Sequence, residues 1–147
     1  MALKDFLEGS APDNRGRDIA AIYSLSDQEI ESTHDFIQWI FPLQEASRAV
    51  LNAPVLSNHD VRHIQESEIA QENLAKSAEW YLGFLMRNKH WVTKYDHNHL
   101  RITRAIKSIR LLVGDQEADS FRSKIFKILG DGSLHIDSKA VSFWMDA

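Results

Sequence analysis

The sequence NHLRITRAIKSIRLLV, residues 98–113, decides the fold class. Its aliphatic side chains recur every three or four residues, which is the spacing of one face of an α-helix. That face comprises Ile102, Ala105, Ile106, Ile109, Leu112 and Val113. Asn98 is expected to cap this helix and Gly114 to end it. Because Leu100 and Leu111 fall on the opposite side, the pattern predicts a central helix that is buried on two sides.

The same helical periodicity continues through the rest of the chain. It predicts further helices over residues 17–23, 26–41, 57–67, 68–86, 115–129 and from 138 onward. Ser26 and Glu29 form a capping box that starts the second of these, and Pro42 ends it. Three prolines and six glycines are too few for a β-sandwich or barrel. We therefore predict an all-α fold, a compact bundle of about six to eight helices in a single domain over residues 1–147.

Composition excludes several classes of function. The chain has no cysteine, so disulfides and thiolate metal clusters are excluded. A net charge of −4 argues against a nucleic-acid partner, since such domains are usually basic. The opening MALKDFLEGSAPDNRGRD lacks the apolar stretch of a signal peptide, and no run of eighteen apolar residues predicts a membrane span. We expect a cytoplasmic protein.

Seven histidines raise the question of a metal site. His59 and His63 are four residues apart and share a helix face, as two metal ligands must. The pattern is not His-Glu-x-x-His and places no third ligand, so a solvated helix surface is the favoured interpretation. His97-Asn98-His99 is not by itself a nuclease motif. We predict no metal ligands and no cofactor.

Two alternative functions stay open. One is a small metal-dependent hydrolase that uses His34, Asp35, His97 and His99. Neighbouring helical residues such as His34 and Asp35 point about 100° apart, however, and no activated nucleophile or Gly-rich phosphate loop is present, so we predict no enzymatic activity. The other is anion or nucleic-acid binding by the basic side chains of the helix over 98–113, for which pairing with internal carboxylates is the favoured explanation.

Two stretches of sequence together carry a family resemblance. The first stretch is HDFIQWIFPL, residues 34–43, and the second stretch is HNHLRITRAIKSI, residues 97–109. Their pairing and order resemble the conserved domain of the opioid growth factor receptor family, from about Phe6 to Phe126. Animal members are described as nuclear or perinuclear receptors for Met-enkephalin. The resemblance implies a non-enzymatic domain that binds a peptide, here in a short, microbial member without the long C-terminal repeats.

The resemblance and the helical periodicity together predict a binding site. Its residues are His34, Asp35, Gln38, Trp39, His97, Asn98, Arg101 and Arg104. We expect the helix over 30–41 to pack beside the helix over 100–113, so that Asp35 or Gln38 faces one of the two arginines. This polar cluster is then either a structural clamp or the floor of a binding groove. A peptide or protein is the expected partner, and the oligomeric state is left open.

Overall fold

The computed structural model describes residues 2–48 and 50–147, and this part of the chain contains helices and no strand. The α-helices are α1 (Ala2–Leu7), α2 (Ile19–Tyr23), α3 (Asp27–Ser32), α4 (Ile37–Ile40), α5 (Asn58–Glu66), α6 (Glu68–Arg87), α7 (His97–Leu112), α8 (Asp115–Leu129) and α9 (Ser138–Asp146). Short 3₁₀ helices cover Lys89–Trp91 and Gly130–His135. The predicted all-α class is confirmed. Within the same residues, no helix combines the length and apolarity needed to cross a membrane.

The chain divides into two compact units. Unit 1 is Met1–Ser77 and unit 2 is Ala78–Ala147, with the division inside α6. Each unit has its own set of buried apolar side chains, so each is described separately below. The predicted single domain over residues 1–147 stays a prediction.

Unit 1 is built around α1, which packs against α4 and α5. Side-chain hydrogen bonds fix its chain segments to one another. The side-chain amide of Asn73 donates to the carbonyl oxygen of Leu7 at 2.7 Å, and the Tyr23 hydroxyl donates to the Asn73 carbonyl oxygen at 2.9 Å. Burial raises the pKa of Tyr23 above its ordinary value, and its hydrogen bond with Ser77 partly offsets this rise. These bonds hold distant parts of the unit together.

The helix predicted over 26–41 is not continuous: it is interrupted at residues 33–36, between α3 and α4. The capping box of Ser26 and Glu29 is present, but α3 ends at Ser32 and Thr33 is extended, with φ −102° and ψ 124°. Thr-His-Asp is a poor helix-forming sequence, and the ion pairs of Asp35 with two distant arginines fix a different backbone path. As a result, all of residues 36–43 are buried, not only one face of a helix.

Unit 2 is built around α7, which packs against α8 and α9. Two tryptophans are wholly buried and each satisfies its indole N–H. Trp91 donates to the Leu85 carbonyl oxygen at 3.0 Å, and Trp144 donates to the His99 carbonyl oxygen at 3.0 Å. Trp144 thereby bonds α9 to the first turn of α7.

Two predictions about α7 are wrong. Asp96, not Asn98, caps the helix, since its Oδ1 accepts from the Asn98 backbone N–H at 2.9 Å. Asn98 lies one residue inside the helix and is fully buried. Leu100 was expected to be buried, but 72 % of its surface is exposed. Leu111 is half-buried, so the helix is buried mainly on one side.

Candidate binding sites

The first candidate site is a loop cluster in unit 1, formed by Asp13, Arg15, Arg17 and Asp35. The side chain of Asp13 is wholly buried and its Oδ1 accepts the backbone N–H groups of both arginines at 2.8 and 3.0 Å. Arg17 forms ion pairs with Asp13 at 2.8 Å and with Asp35 at 3.0 Å. Arg15 forms an ion pair with the other oxygen of Asp35 at 3.0 Å. The charges of the cluster therefore balance internally.

A small cavity of about 240 Å³ opens beside the loop cluster. Arg15, Asp35 and Trp39 line it together with residues 50–53. The two charged residues of its wall, Arg15 and Asp35, are paired with each other in the cluster. Because these charges already have partners within unit 1, the cavity shows no free charge that would select a ligand.

The other predicted site residues of the first stretch differ in exposure. His34 is exposed between α3 and α4, whereas Gln38 and Trp39 are buried. The Trp39 ring packs edge-on against Phe6 with centroids 5.3 Å apart. Among the residues described, no hydrogen-bond partner reaches the buried Oε1 of Gln38. The first stretch therefore supplies the core of unit 1 more than it supplies a ligand surface.

The second candidate site is an open groove in unit 2 of about 480 Å³. We call it the α7–α9 groove, because the start of α7 and the start of α9 form its walls. It is lined by Tyr95, Asp96, His97, His99, Leu100, Asp137, Lys139, Ala140 and Phe143. Three of these side chains are large, apolar and exposed, with exposed fractions of 72 % for Tyr95, 72 % for Leu100 and 50 % for Phe143. Two predicted site residues, His97 and His99, thus lie at a groove with an apolar surface.

The floor of the groove is held in place by aromatic packing. The Nε2 of His99 lies 2.7 Å from the Trp91 carbonyl oxygen, and its ring meets Trp144 edge-on at 5.6 Å. Trp144 in turn packs edge-on against Trp91 at 6.5 Å. His99 is therefore a packed residue that supports the groove, while His97 at the helix start is exposed.

The remaining predicted residues of α7 belong to an internal polar network. The Oδ1 of Asn98 accepts from the Tyr81 hydroxyl at 2.7 Å and from Arg101 Nη1 at 3.4 Å. Its Nδ2 donates to Asp96 at 2.9 Å. Arg101 is buried and Arg104 is half-buried. These contacts favour a structural role within unit 2, and the predicted pairing of the first stretch with Arg101 or Arg104 stays a prediction.

The last basic residue of α7 is paired with acids, as expected for internal pairing. Arg110 contacts Asp119 at 2.7 Å and Asp115 at 3.0 Å, and it donates to the Ala147 carbonyl oxygen at 3.0 Å. The hydrogen bond with Asp119, followed by that with Asp115, raises the pKa of Arg110. Since Arg101 is buried as well, α7 does not display all its basic side chains on one open face.

Sequence reasoning missed Arg15, Arg17, Tyr95, Asp137 and Lys139 as site residues. The spacing of Asp13 and Arg17 over a loop with Gly16 at φ +80° was the available signal for the loop cluster. No comparable signal existed for the groove, because its two walls lie about forty residues apart in the sequence.

Comparison with known proteins supports the family resemblance. The family model described as the opioid growth factor receptor (OGFr) conserved region matches residues 9–89, more than half of the chain. The chain belongs to this family. The match includes the loop cluster and the first stretch, and it ends before the second stretch and the α7–α9 groove. The match therefore covers most of unit 1, from residue 9 to residue 77, and only the first part of unit 2.

Several relatives carry related names. The opioid growth factor receptor of Homo sapiens is 31 % identical over 126 residues, covering 71 % of this chain and 17 % of the relative. The opioid growth factor receptor of Rattus norvegicus is 30 % identical over 98 residues, covering 54 % of this chain and 17 % of the relative. Opioid growth factor receptor-like protein 1 of Mus musculus is 26 % identical over 121 residues, covering 69 % of this chain and 25 % of the relative. The chain thus spans a quarter or less of these relatives, and no solved structure matches it.

Proposed function

We propose that this chain is a non-enzymatic binding domain that takes a short peptide in the α7–α9 groove. The relatives at about 30 % identity are named receptors, which supports a binding role over a catalytic one. The exposed apolar lining of the groove is the observation that carries the proposal. The proposal keeps the cytoplasmic location expected from the sequence.

The lining of the groove fits a peptide side chain. Tyr95, Leu100 and Phe143 expose large apolar surfaces at one place, although exposed side chains of this type are normally scattered singly. A cavity of 480 Å³ holds two or three amino-acid residues, and its size falls within the range of ordinary ligand pockets. Burying one leucine-sized side chain there contributes about 1.5–3 kcal/mol.

The groove is also preformed. Its walls are helices, and His99 and Trp144 beneath them are buried and hydrogen-bonded. A rigid binding surface loses little conformational entropy when a ligand binds, which favours affinity. The geometry therefore supports recognition of an apolar side chain by a fixed surface.

The two alternative functions receive less support. The His99 ring contacts the Trp91 carbonyl oxygen and packs on Trp144, and Asp35 forms ion pairs with two arginines. These contacts disfavour both residues as metal ligands or proton carriers. Nucleic-acid binding by α7 is disfavoured because Arg101 is buried and Arg110 is paired with acids. Peptide binding in the α7–α9 groove does not require these side chains to leave their partners.

Titration with Met-enkephalin by isothermal calorimetry tests the proposal. We expect saturable binding to the intact chain and about tenfold weaker binding to Leu100→Ser, because the lost apolar contact is worth about 1.4 kcal/mol or more. Leu134→Ser is the matched control, since Leu134 is also an exposed leucine of unit 2 and does not line the groove. If Met-enkephalin shows no binding at concentrations up to about 1 mM, the peptide-binding function is contradicted. A dissociation constant of 1 mM corresponds to a binding free energy of about −4 kcal/mol. Equal affinity of the Leu100 and Leu134 variants contradicts the groove as the site.

A further inference from the structure

We infer that His59 and His63, on the exposed face of α5, form a binding site for Zn²⁺ or a chemically similar divalent transition-metal ion. This inference is independent of the proposed peptide-binding function, because the site lies in unit 1 and shares no residue with the α7–α9 groove. The spacing alone favours a solvated helix surface, because it places no third ligand. The contact between the two rings in the structure changes that interpretation.

The two imidazole rings lie against each other. Their centroids are 3.9 Å apart and their planes are tilted by 56°. Two nitrogens bound to one tetrahedral Zn²⁺, with bonds of about 2.0–2.1 Å, are separated by about 3.3 Å. Rotation of the two side chains is therefore sufficient to place one nitrogen of each ring on the same ion, and the backbone need not move.

The ring nitrogens of the pair are available to a metal. Within residues 2–48 and 50–147, no hydrogen bond or ion pair of either imidazole is found. Both side chains are exposed, so a hydrated ion reaches them without any opening of the fold. His99 differs, since it is buried and its Nε2 lies 2.7 Å from the Trp91 carbonyl oxygen.

Helix α5 holds the two histidines at a fixed spacing. A capping box starts the helix, in which the Ser57 hydroxyl accepts from the Asp60 backbone N–H at 3.0 Å and the Asp60 carboxylate accepts from the Ser57 backbone N–H at 2.9 Å. Val61 and Ile64 are buried on the opposite face, and α5 packs against α1. Because the helix is formed before the ion arrives, binding loses little conformational entropy.

An open cleft beside His63 leaves room for the water molecules that complete the coordination. Its volume is about 380 Å³, and it is lined by Lys4, His63, Glu66 and Ser67. Glu66 is exposed and lies seven residues after His59, on the same helix face. Its carboxylate adds a negative charge near the pair, which favours a bound cation.

The positive charges near the pair do not block the site. The Lys4 ammonium is paired with Glu8 at 2.9 Å, so its charge is balanced within unit 1. Arg62 is exposed, and its long side chain keeps the guanidinium in water. Imidazole nitrogens with a nearby carboxylate suit Zn²⁺, Ni²⁺ and Cu²⁺, whereas Mg²⁺ and Ca²⁺ prefer oxygen ligands.

Titration of the intact chain with zinc sulfate by isothermal calorimetry tests the site. We expect saturable binding of one ion, and no competition from an excess of Mg²⁺. His59→Ala and His63→Ala should each weaken binding about tenfold, because only one imidazole of the pair remains. His135→Ala is the matched control, since His135 is also exposed but lies in unit 2, and it should keep the affinity of the intact chain.

A variant with exchanged residues tests the spacing of the histidines. Asn58→His combined with His59→Asn keeps their number and the net charge, but the two histidines are then five residues apart and point about 140° from each other. We expect this variant to bind Zn²⁺ as weakly as His59→Ala. Circular dichroism checks that the helices remain folded. Zn²⁺ should also raise the melting temperature of the intact chain and of His135→Ala, but not that of the variants that lack the pair.

Three results would overturn the inference. They are absence of saturable Zn²⁺ binding up to about 1 mM, unchanged affinity in His63→Ala, and unchanged affinity in the exchanged variant. None of them bears on the peptide-binding function, since Met-enkephalin is titrated without metal and its site lies in unit 2.

Discussion

The first and second stretches, residues 34–43 and 97–109, use their side chains in different ways. From residue 36 onward the first stretch is entirely buried, including Gln38 and Trp39. The second stretch alternates, with Asn98, His99 and Arg101 buried and His97 and Leu100 exposed. The first stretch therefore contributes mainly to the core of unit 1. The second stretch contributes both to the core of unit 2 and to its surface.

This difference changes how the family resemblance is interpreted. The family match covers the first stretch and ends at residue 89. A likeness in a region that is mostly buried establishes the family and says little about a ligand. The α7–α9 groove lies outside the match, which means that its chemistry has to be argued from this chain's own residues.

The largest expected effect comes from truncating the first stretch. Trp39 is 7 % exposed and packs on Phe6, so Trp39→Ala should lower the free energy of unfolding by about 3–5 kcal/mol. Leu51→Ala is the control, because Leu51 lines the same small cavity but is 90 % exposed, and it should change stability little. Urea denaturation measures both. If Trp39→Ala lowers the free energy of unfolding by less than about 1 kcal/mol, as a surface substitution does, the role of Trp39 in the core of unit 1 is contradicted.

An intermediate effect is expected at the buried polar network of the second stretch. Asn98→Ala removes the acceptor of the Tyr81 hydroxyl and should cost about 1–3 kcal/mol. Tyr81→Phe removes the donor instead. If the hydrogen bond couples the two residues, the double variant should cost less than the sum of the single variants. Additive costs, measured by urea denaturation, would show that the bond carries no coupling.

The smallest effect on stability is expected at the exposed edge of the second stretch. Leu100→Ser should change the free energy of unfolding by no more than about 0.5 kcal/mol, since 72 % of Leu100 is exposed. The same variant is expected to weaken peptide binding, so stability and binding should separate at this residue. A large loss of stability would mean that Leu100 packs within unit 2 and presents no binding surface.

The periodicity of the sequence was sufficient for the fold class. α6, α7 and α8 have long apolar repeats and begin or end near the predicted residues. The break between α3 and α4 was missed because it depends on ion pairs between Asp35 and arginines some twenty residues earlier. Such tertiary pairs leave no local signal and can outweigh the helical preference of a short segment.

The candidate site was less predictable. His97 and His99 were identified, and both lie at the groove. Asn98 was assigned as a cap because Asn is a common capping residue, but Asp96 was two residues earlier and equally suited. Phe143 lies in the distant α9 and Asp137 directly before it, and the packing of α9 on α7 shows that they share a surface with Leu100.

The most direct test of the account is to map peptide binding by NMR on the isotopically labelled chain. On addition of Met-enkephalin, we expect the largest amide shift changes at residues 95–100 and 137–143. Residues 36–43, which form the buried core of unit 1, should shift little. Largest changes within residues 36–43, with residues 95–100 and 137–143 unmoved, would contradict the assignment of the groove as the binding surface.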